Sequence, residues 1–128
     1  MYKIYTDGSC LKNPGKGGWA FAIFKNNKLL QLGSGANSNT TNNRMELTAI
    51  IKALKFTKFK NIDIYSDSQW CINCAQNIWK KKANLDLWKE FENYSKTKNI
   101  NFHWVKGHSG NKYNDFVDKL AFKEASQI

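Results

Sequence analysis

Four carboxylates stand where the local pattern of this chain changes. Asp7 follows the alternating run Tyr2-Lys-Ile-Tyr-Thr6 and precedes a glycine, while Asp67 follows the apolar run Ile62-Asp-Ile-Tyr-Ser66. Both therefore sit at the carboxyl end of an expected strand. Glu46 falls in the first turn of an expected helix, and Asp118 lies on the helix near the end of the chain. Carboxylates brought together repel one another and weaken a fold unless something compensates them. Two divalent cations about 4 Å apart would do so, and would also activate water at a phosphodiester. Mg²⁺ is the natural ion, because it accepts a few carboxylate oxygens and keeps the rest of its shell for water and phosphate, without a Cys/His cage. Spacing alone leaves the matter open: isolated surface carboxylates are common, and Glu46, three residues after Asn43, could close a capping box. His108, between Gly107 and Gly110, is open in the same way, as a structural loop residue or a proton-transfer group.

The elements that must position these groups follow from the hydrophobic pattern. Trp19 to Phe24 and Lys28 to Gly35 are β-like runs separated by the polar corner Lys25-Asn26-Asn27, so three antiparallel strands open the chain. The turn-forming segment Asn13 to Gly18 lacks the spacing of a phosphate loop or a dinucleotide fingerprint. Leu47, Ile50, Ile51 and Leu54 mark one face of a helix starting near Asn43. After Asp67, Ser68 reads as an N-cap, and Cys71, Ile72 and Ala75 as the stripe of a second helix. A lysine triplet between tryptophans leads to a further helix through Tyr94, and Ile100 to Val105 alternates as a fifth strand. Phe116, Val117, Leu120 and Ala121 give a last helix over Lys112 to Ala125. This order predicts an α/β fold: a mixed sheet with helices packed against it, and crossovers joining the later strands.

Composition bounds what such a fold can do. The chain has 128 residues, with twenty Lys+Arg against ten Asp+Glu and a formal charge of +10. That length is too short for two domains of about 150 residues, and that charge favours anionic partners. Eight Phe, five Tyr and five Trp exclude a disordered polycation. No run approaches the roughly 18 apolar residues of a membrane span, and the first residues lack the apolar core of a secretory signal, so no membrane partner and a cytoplasmic location are expected. Arg44 is the only arginine; lysine point charges suit attraction to a phosphate backbone more than bidentate reading of base edges. A Lys/Asn-rich surface that merely keeps the protein solvated is the alternative. Cys10, Cys71 and Cys74 leave an odd thiol under any pairing, and no second pair completes a zinc site for Cys71 and Cys74. They read as semi-buried thiols, with an incidental disulfide the main exception.

Five segments, in order, resemble type 1 ribonuclease H. They are Tyr5-Thr-Asp-Gly-Ser-Cys-Leu-Lys-Asn-Pro-Gly15, Thr40-Thr-Asn-Asn-Arg-Met-Glu-Leu47, Ser66-Asp-Ser-Gln69, Trp104-Val-Lys-Gly-His-Ser-Gly110 and Asn114-Asp-Phe-Val-Asp-Lys-Leu-Ala121. The resemblance covers essentially the whole chain. It implies a ribonuclease H-like fold, a five-stranded mixed sheet with helices packed on both faces, as a single domain over residues 1–128. It further implies a metal-dependent endonuclease, expected to be a monomer, that hydrolyses the RNA strand of RNA/DNA hybrids and leaves 5′-phosphate and 3′-hydroxyl ends. Two Mg²⁺ ions, or Mn²⁺, would be held by Asp7, Glu46, Asp67 and Asp118. His108 matches the family's mobile histidine, linked to proton transfer or product release. Cys10, Asn13, Asn43 and Gln69 match positions that touch the minor groove and sugar hydroxyls. Thr41, Asn42 and Arg44 resemble neighbouring contacts, including a pocket for a DNA-strand phosphate. Without the match, turn formation, capping and solvation would explain these residues equally well.

One departure from the family stands out. Well-known bacterial members carry a longer basic protrusion with its own helix and several tryptophans. Here Trp79-Lys80-Lys81-Lys82 passes through Ala83-Asn84 almost directly to Leu85-Asp-Leu-Trp88. Trp79 and Trp88 read as core anchors, and Lys80, Lys81 and Lys82 as what remains of a phosphate-binding segment. The shortening predicts weaker hybrid binding, and leaves room for a Mn²⁺ preference or help from a protein partner. No separate hybrid-binding module is expected at the amino terminus. Two other readings stand beside the nuclease: another nuclease of the same broad fold, and a noncatalytic hybrid-binding domain, against which retention of all four carboxylates weighs.

Overall fold

The computed structural model describes residues 2–107 and 109–128. Its elements, in chain order, are β1 (Tyr2–Cys10), β2 (Gly15–Lys25), β3 (Lys28–Thr40), α1 (Asn42–Phe56), β4 (Asn61–Ser66), α2 (Gln69–Ala75), α3 (Leu85–Ser95), β5 (Asn99–Trp104) and α4 (Lys112–Ser126). The strands form one five-stranded sheet in the order β3-β2-β1-β4-β5. β1, β2 and β3 pair antiparallel, and β1, β4 and β5 pair parallel. The β2–β3 corner is a two-residue turn in which Asn26 and Asn27 both take positive φ, a conformation that asparagine tolerates and that matches the twist of a hairpin.

Alternation along the strands sorts side chains onto two cores. Ile4, Phe21, Ile23, Ile62 and Ile64 point to one face, where Leu47, Ile50, Ile51 and Leu54 of α1 and Trp88 and Phe91 of α3 cover them. Tyr5, Ala20, Ala22 and Phe24 point to the other, under Val117 and Ala121 of α4. Helices therefore lie on both faces of a mixed sheet, as expected.

Several boundaries differ from the sequence reading. β1 does not end at Thr6. Its parallel pairing with β4 stops at Tyr5, but its antiparallel pairing with β2 continues through Asp7 to Cys10. β2 and β3 are also longer, because the polar stretch up to Thr40 finds partners in β2 from Gly15 onward. The cap of α1 is Thr41, whose hydroxyl accepts from the Arg44 N–H at 3.2 Å, so Asn43 and Glu46 do not form the capping box. Ser68 caps α2 as expected, accepting from the Cys71 N–H at 3.1 Å. Trp88 is a core anchor at 2% exposure, but Trp79 is 45% exposed and belongs to neither buried cluster of the described residues. Cys71 and Cys74 are fully buried free thiols.

Trp88 ties α3 to the sheet-facing core, with its ring edge-on to Phe91 at 5.3 Å and beside Trp70 at 5.5 Å. Trp88→Ala should therefore cost about 3–5 kcal/mol, read as a lower urea midpoint at an unchanged slope.

Candidate active site

The acidic groups converge where β1 and β4 leave the parallel ladder. Tyr5 is paired with Tyr65, so Asp7 and Asp67 each lie two residues beyond the same rung. One oxygen from each of Asp7, Glu46 and Asp67 lies within 4.8 Å of the others. Glu46 reaches the site from the first turns of α1. The Gly8 N–H donates to Glu46 Oε1 at 2.6 Å and to Asp7 Oδ1 at 2.9 Å, so one backbone donor aligns two carboxylates. This contact requires glycine: a Cβ at position 8 would lie 2.2 Å from the Met45 carbonyl carbon and 2.3 Å from the Glu46 nitrogen. Asp118 comes from α4 and interacts directly with Asp7.

Electrostatics set the protonation of this cluster. Burial, then the charges of Asp67 and Asp118, pushes the Asp7 carboxyl up to about 8, although its hydrogen bond with Glu46 works the other way. Burial pushes Glu46 well above the usual carboxylate range too, helped by Asp7 and Asp67. Asp7 therefore keeps its proton near neutral pH when nothing positive is present, and Glu46 keeps its own to a higher pH than an ordinary carboxyl does. Asp7 is 2% exposed, and its Oδ2 has no hydrogen-bond partner among the described residues. A buried carboxylate oxygen without a donor is costly, and a cation is one group that would satisfy it. The donors are all carboxylate oxygens, a set suited to a hard ion such as Mg²⁺ or Mn²⁺. The residues thus fit a divalent metal.

The other sequence candidates fall into two groups around this centre. Cys10, Asn13 and Asn42 are tied together: the Cys10 N–H donates to Asn42 Oδ1 at 2.8 Å and the Asn42 N–H to Asn13 Oδ1 at 3.2 Å. These bonds hold the β1–β2 loop, with its cis Asn13-Pro14 peptide, against the start of α1. Thr41 caps that helix, Asn43 is exposed in its first turn, and Gln69 is exposed at the first position of α2. Arg44 turns the other way. Its guanidinium makes a bidentate pair with Asp86 at 3.0 and 2.8 Å and also donates to Asn84 at 3.1 Å, holding the start of α3 to α1. Lys80 and Lys82 are exposed, whereas Lys81 folds back over the Trp88 ring at 5.0 Å and donates to Asn77 at 2.7 Å. His108 lies outside the described residues. In the sequence, a glycine directly after an acidic strand residue permits a turn or a close backbone approach; the structure makes it the close approach, to the Met45–Glu46 peptide.

The family model described as RNase H matches residues 1–126. Ribonuclease H of Wolbachia pipientis wMel is 46% identical over 134 residues, covering 94% of this chain and 92% of that protein. Ribonuclease HI of Campylobacter jejuni is 43% identical over 135 residues, covering 98% and 92%. Among solved structures, LC11-RNase H1 in complex with an RNA/DNA hybrid superposes with a TM-score of 0.86 at 22% identity, covering 99% and 98% of the two chains. RNase H1 of the halophilic archaeon Halobacterium salinarum superposes with a TM-score of 0.85 at 21% identity, covering 99% and 98%. No helix among the described residues is long and apolar enough to cross a membrane.

Because the folded-state values of Asp7 and Glu46 are raised, their protons favour the native state below the ordinary carboxylate range, and that stabilisation is lost as pH rises. Without divalent ions, the thermal midpoint should fall between about pH 4 and about pH 8. Asp7→Asn should flatten the fall and raise the midpoint at the alkaline end, and Mg²⁺ or Mn²⁺ should do the same for the unsubstituted protein. A separate expectation concerns Gly8→Ala, which forces α1 away from β1. It should destabilise by about 1–3 kcal/mol and remove the stabilisation by Mn²⁺, both measurable by thermal melts.

Proposed function

We propose that this chain, which belongs to the ribonuclease H family, is an endonuclease that hydrolyses the RNA strand of RNA/DNA hybrids at the acidic site. The observation that carries the reading is the convergence of Asp7, Glu46 and Asp67 around an unpartnered, buried Asp7 oxygen. The solved complex of LC11-RNase H1, a protein of the same fold, holds an RNA/DNA hybrid, which supports the substrate class. Asp7, Glu46, Asp67 and Asp118 would hold two Mg²⁺ ions, with Mn²⁺ as the alternative, and the ions when bound supply Lewis-acid stabilisation and an activated water at the scissile phosphate. The products would be a 5′-phosphate and a 3′-hydroxyl.

The chain's own residues do the rest. The Gly8 N–H keeps Asp7 and Glu46 aligned while their charges change. The Cys10, Asn13 and Asn42 bonds give the β1–β2 loop a fixed shape beside the site, so that Asn43 and Gln69 can meet sugars and base edges from two helix starts. Thr41 and the exposed Lys80 and Lys82 offer contacts to phosphates, without base-specific reading. His108 would move a proton or help product leave. Arg44 contributes by holding α3 in place, since its fork is already filled by Asp86. In this reading the protein acts as a single, monomeric domain in the cytoplasm.

Purified protein with Mg²⁺ or Mn²⁺ should cut labelled RNA in an RNA/DNA hybrid and spare duplex RNA, duplex DNA and single-stranded RNA. Asp67→Asn should reduce cutting to background while leaving the thermal midpoint of the metal-free protein near its original value or above it. Absence of hybrid cleavage with either ion across a protein titration would reject the reading.

A further inference from the structure

Asp67 is the first residue beyond β4, and the regular ladder ends beside it. The Val105 N–H donates to the Ser66 carbonyl at 2.9 Å. The next carbonyl, that of Asp67 itself, is taken by a side chain: the Trp104 indole Nε1–H donates to it at 3.0 Å. Trp104 is 46% exposed and belongs to neither hydrophobic cluster. Core packing therefore does not account for its place at the end of β5. What the indole does is direct its one donor at the backbone of an acidic-site residue.

Other contacts close in on the same residue. The Ser68 N–H donates to Ser66 Oγ at 3.1 Å, fixing the chain on the α2 side of Asp67. A Cβ added at Gly107 would lie 2.9 Å from Asp67 Oδ2, so the β5–α4 loop runs directly against the carboxylate at Gly107. With its carbonyl bonded, the peptide plane after Asp67 is fixed, and the carboxylate is carried at a set height above β4. With that bond removed, the plane can rotate and the carboxylate oxygens move with it.

We propose that Trp104 is a positioning residue for the acidic site: its indole N–H clamps the Asp67 peptide so that the Asp67 carboxylate faces the space shared with Asp7 and Glu46. The kinetic part of this inference rests on the ribonuclease reading, whereas the ion-binding part stands without it.

Two substitutions separate the hydrogen bond from the ring. Trp104→Phe removes the donor and keeps an aromatic side chain; Trp104→3-benzothienylalanine keeps the bicyclic shape and removes only the N–H. In both, Mn²⁺ titrated into the protein alone should bind roughly tenfold more weakly, the lower end of the effect of groups that orient metal ligands. On RNA/DNA hybrid, kcat at fixed Mn²⁺ should fall by a similar factor, while KM for the hybrid and the metal-free thermal midpoint stay unchanged. Unchanged Mn²⁺ affinity in the benzothienylalanine variant overturns the proposal. So does a raised KM at unchanged kcat, which would place Trp104 on the substrate, and so does a lowered metal-free midpoint in that variant, which would make the bond merely structural. If the unsubstituted protein fails to cut hybrids, the ribonuclease reading falls, and the Mn²⁺ titration alone decides the role of Trp104.

Discussion

Three carboxyl groups confined within 4.8 Å of one another, one of them almost wholly removed from water, cannot all ionise without repelling each other in the place where the fold brings its strands together. Such a cluster opposes folding, so the rest of the chain must supply the stability that holds it. Two apolar cores, one on each face of the sheet, do this from below and from the sides. The strand order sets β1 directly beside β4, which makes Asp7 and Asp67 neighbours. Gly8 lets the first turns of α1 touch β1, which brings Glu46 in, and α4 on the opposite face brings Asp118 to Asp7. Each of these placements would be unnecessary in a fold that had only to be stable. Together they make an acidic pocket that a divalent cation would compensate.

The surrounding charge works on a longer scale. The chain carries a formal +10 even though four of its ten acidic residues are assigned to one locality. Lysines distributed over the surface attract a polyanion without specifying its sequence, and the attraction weakens with salt. Across residues 76–84 the chain runs without a helix from α2 to α3. Arg44, the only arginine, is spent there on a bidentate pair with Asp86, whose carboxyl it holds down at about 2. A short connection anchored in this way keeps α3 and its core tryptophan in register while leaving Lys80 and Lys82 outside.

Much of this was legible in the sequence, and the parts that were not have physical reasons. Asp7 and Asp67 were found because apolar runs stop at them, and a change in hydrophobic period needs no tertiary knowledge. The lengths of β1 and β3 exceed the sequence expectation because their outer halves pair through the backbone with β2 while carrying small or polar side chains, where alternation carries no signal. The cap of α1 was misplaced because Thr41 and Asn43 are both competent caps. What distinguishes them is that Asn42 bonds back to Cys10 and Glu46 to Gly8, contacts across the fold that no local pattern contains. Trp79 and Trp88 look alike in the chain, yet only Trp88 meets Phe91 and Trp70. Trp104 was visible as part of the fifth strand and of a motif, but the carbonyl it bonds belongs to the residue that follows another strand.

Burial and neighbouring carboxyls raise Asp7 to about 8 and Glu46 above its ordinary range, so a divalent cation entering the cluster at neutral pH should displace protons from it. Calorimetric titration of Mn²⁺ at about pH 7, in buffers of different ionisation enthalpy, measures that exchange directly. Binding should release protons, seen as heat that varies with the buffer, and the release should diminish as the pH rises through the Asp7 value of about 8. Binding without any dependence on the buffer, or no binding at all, would contradict the account.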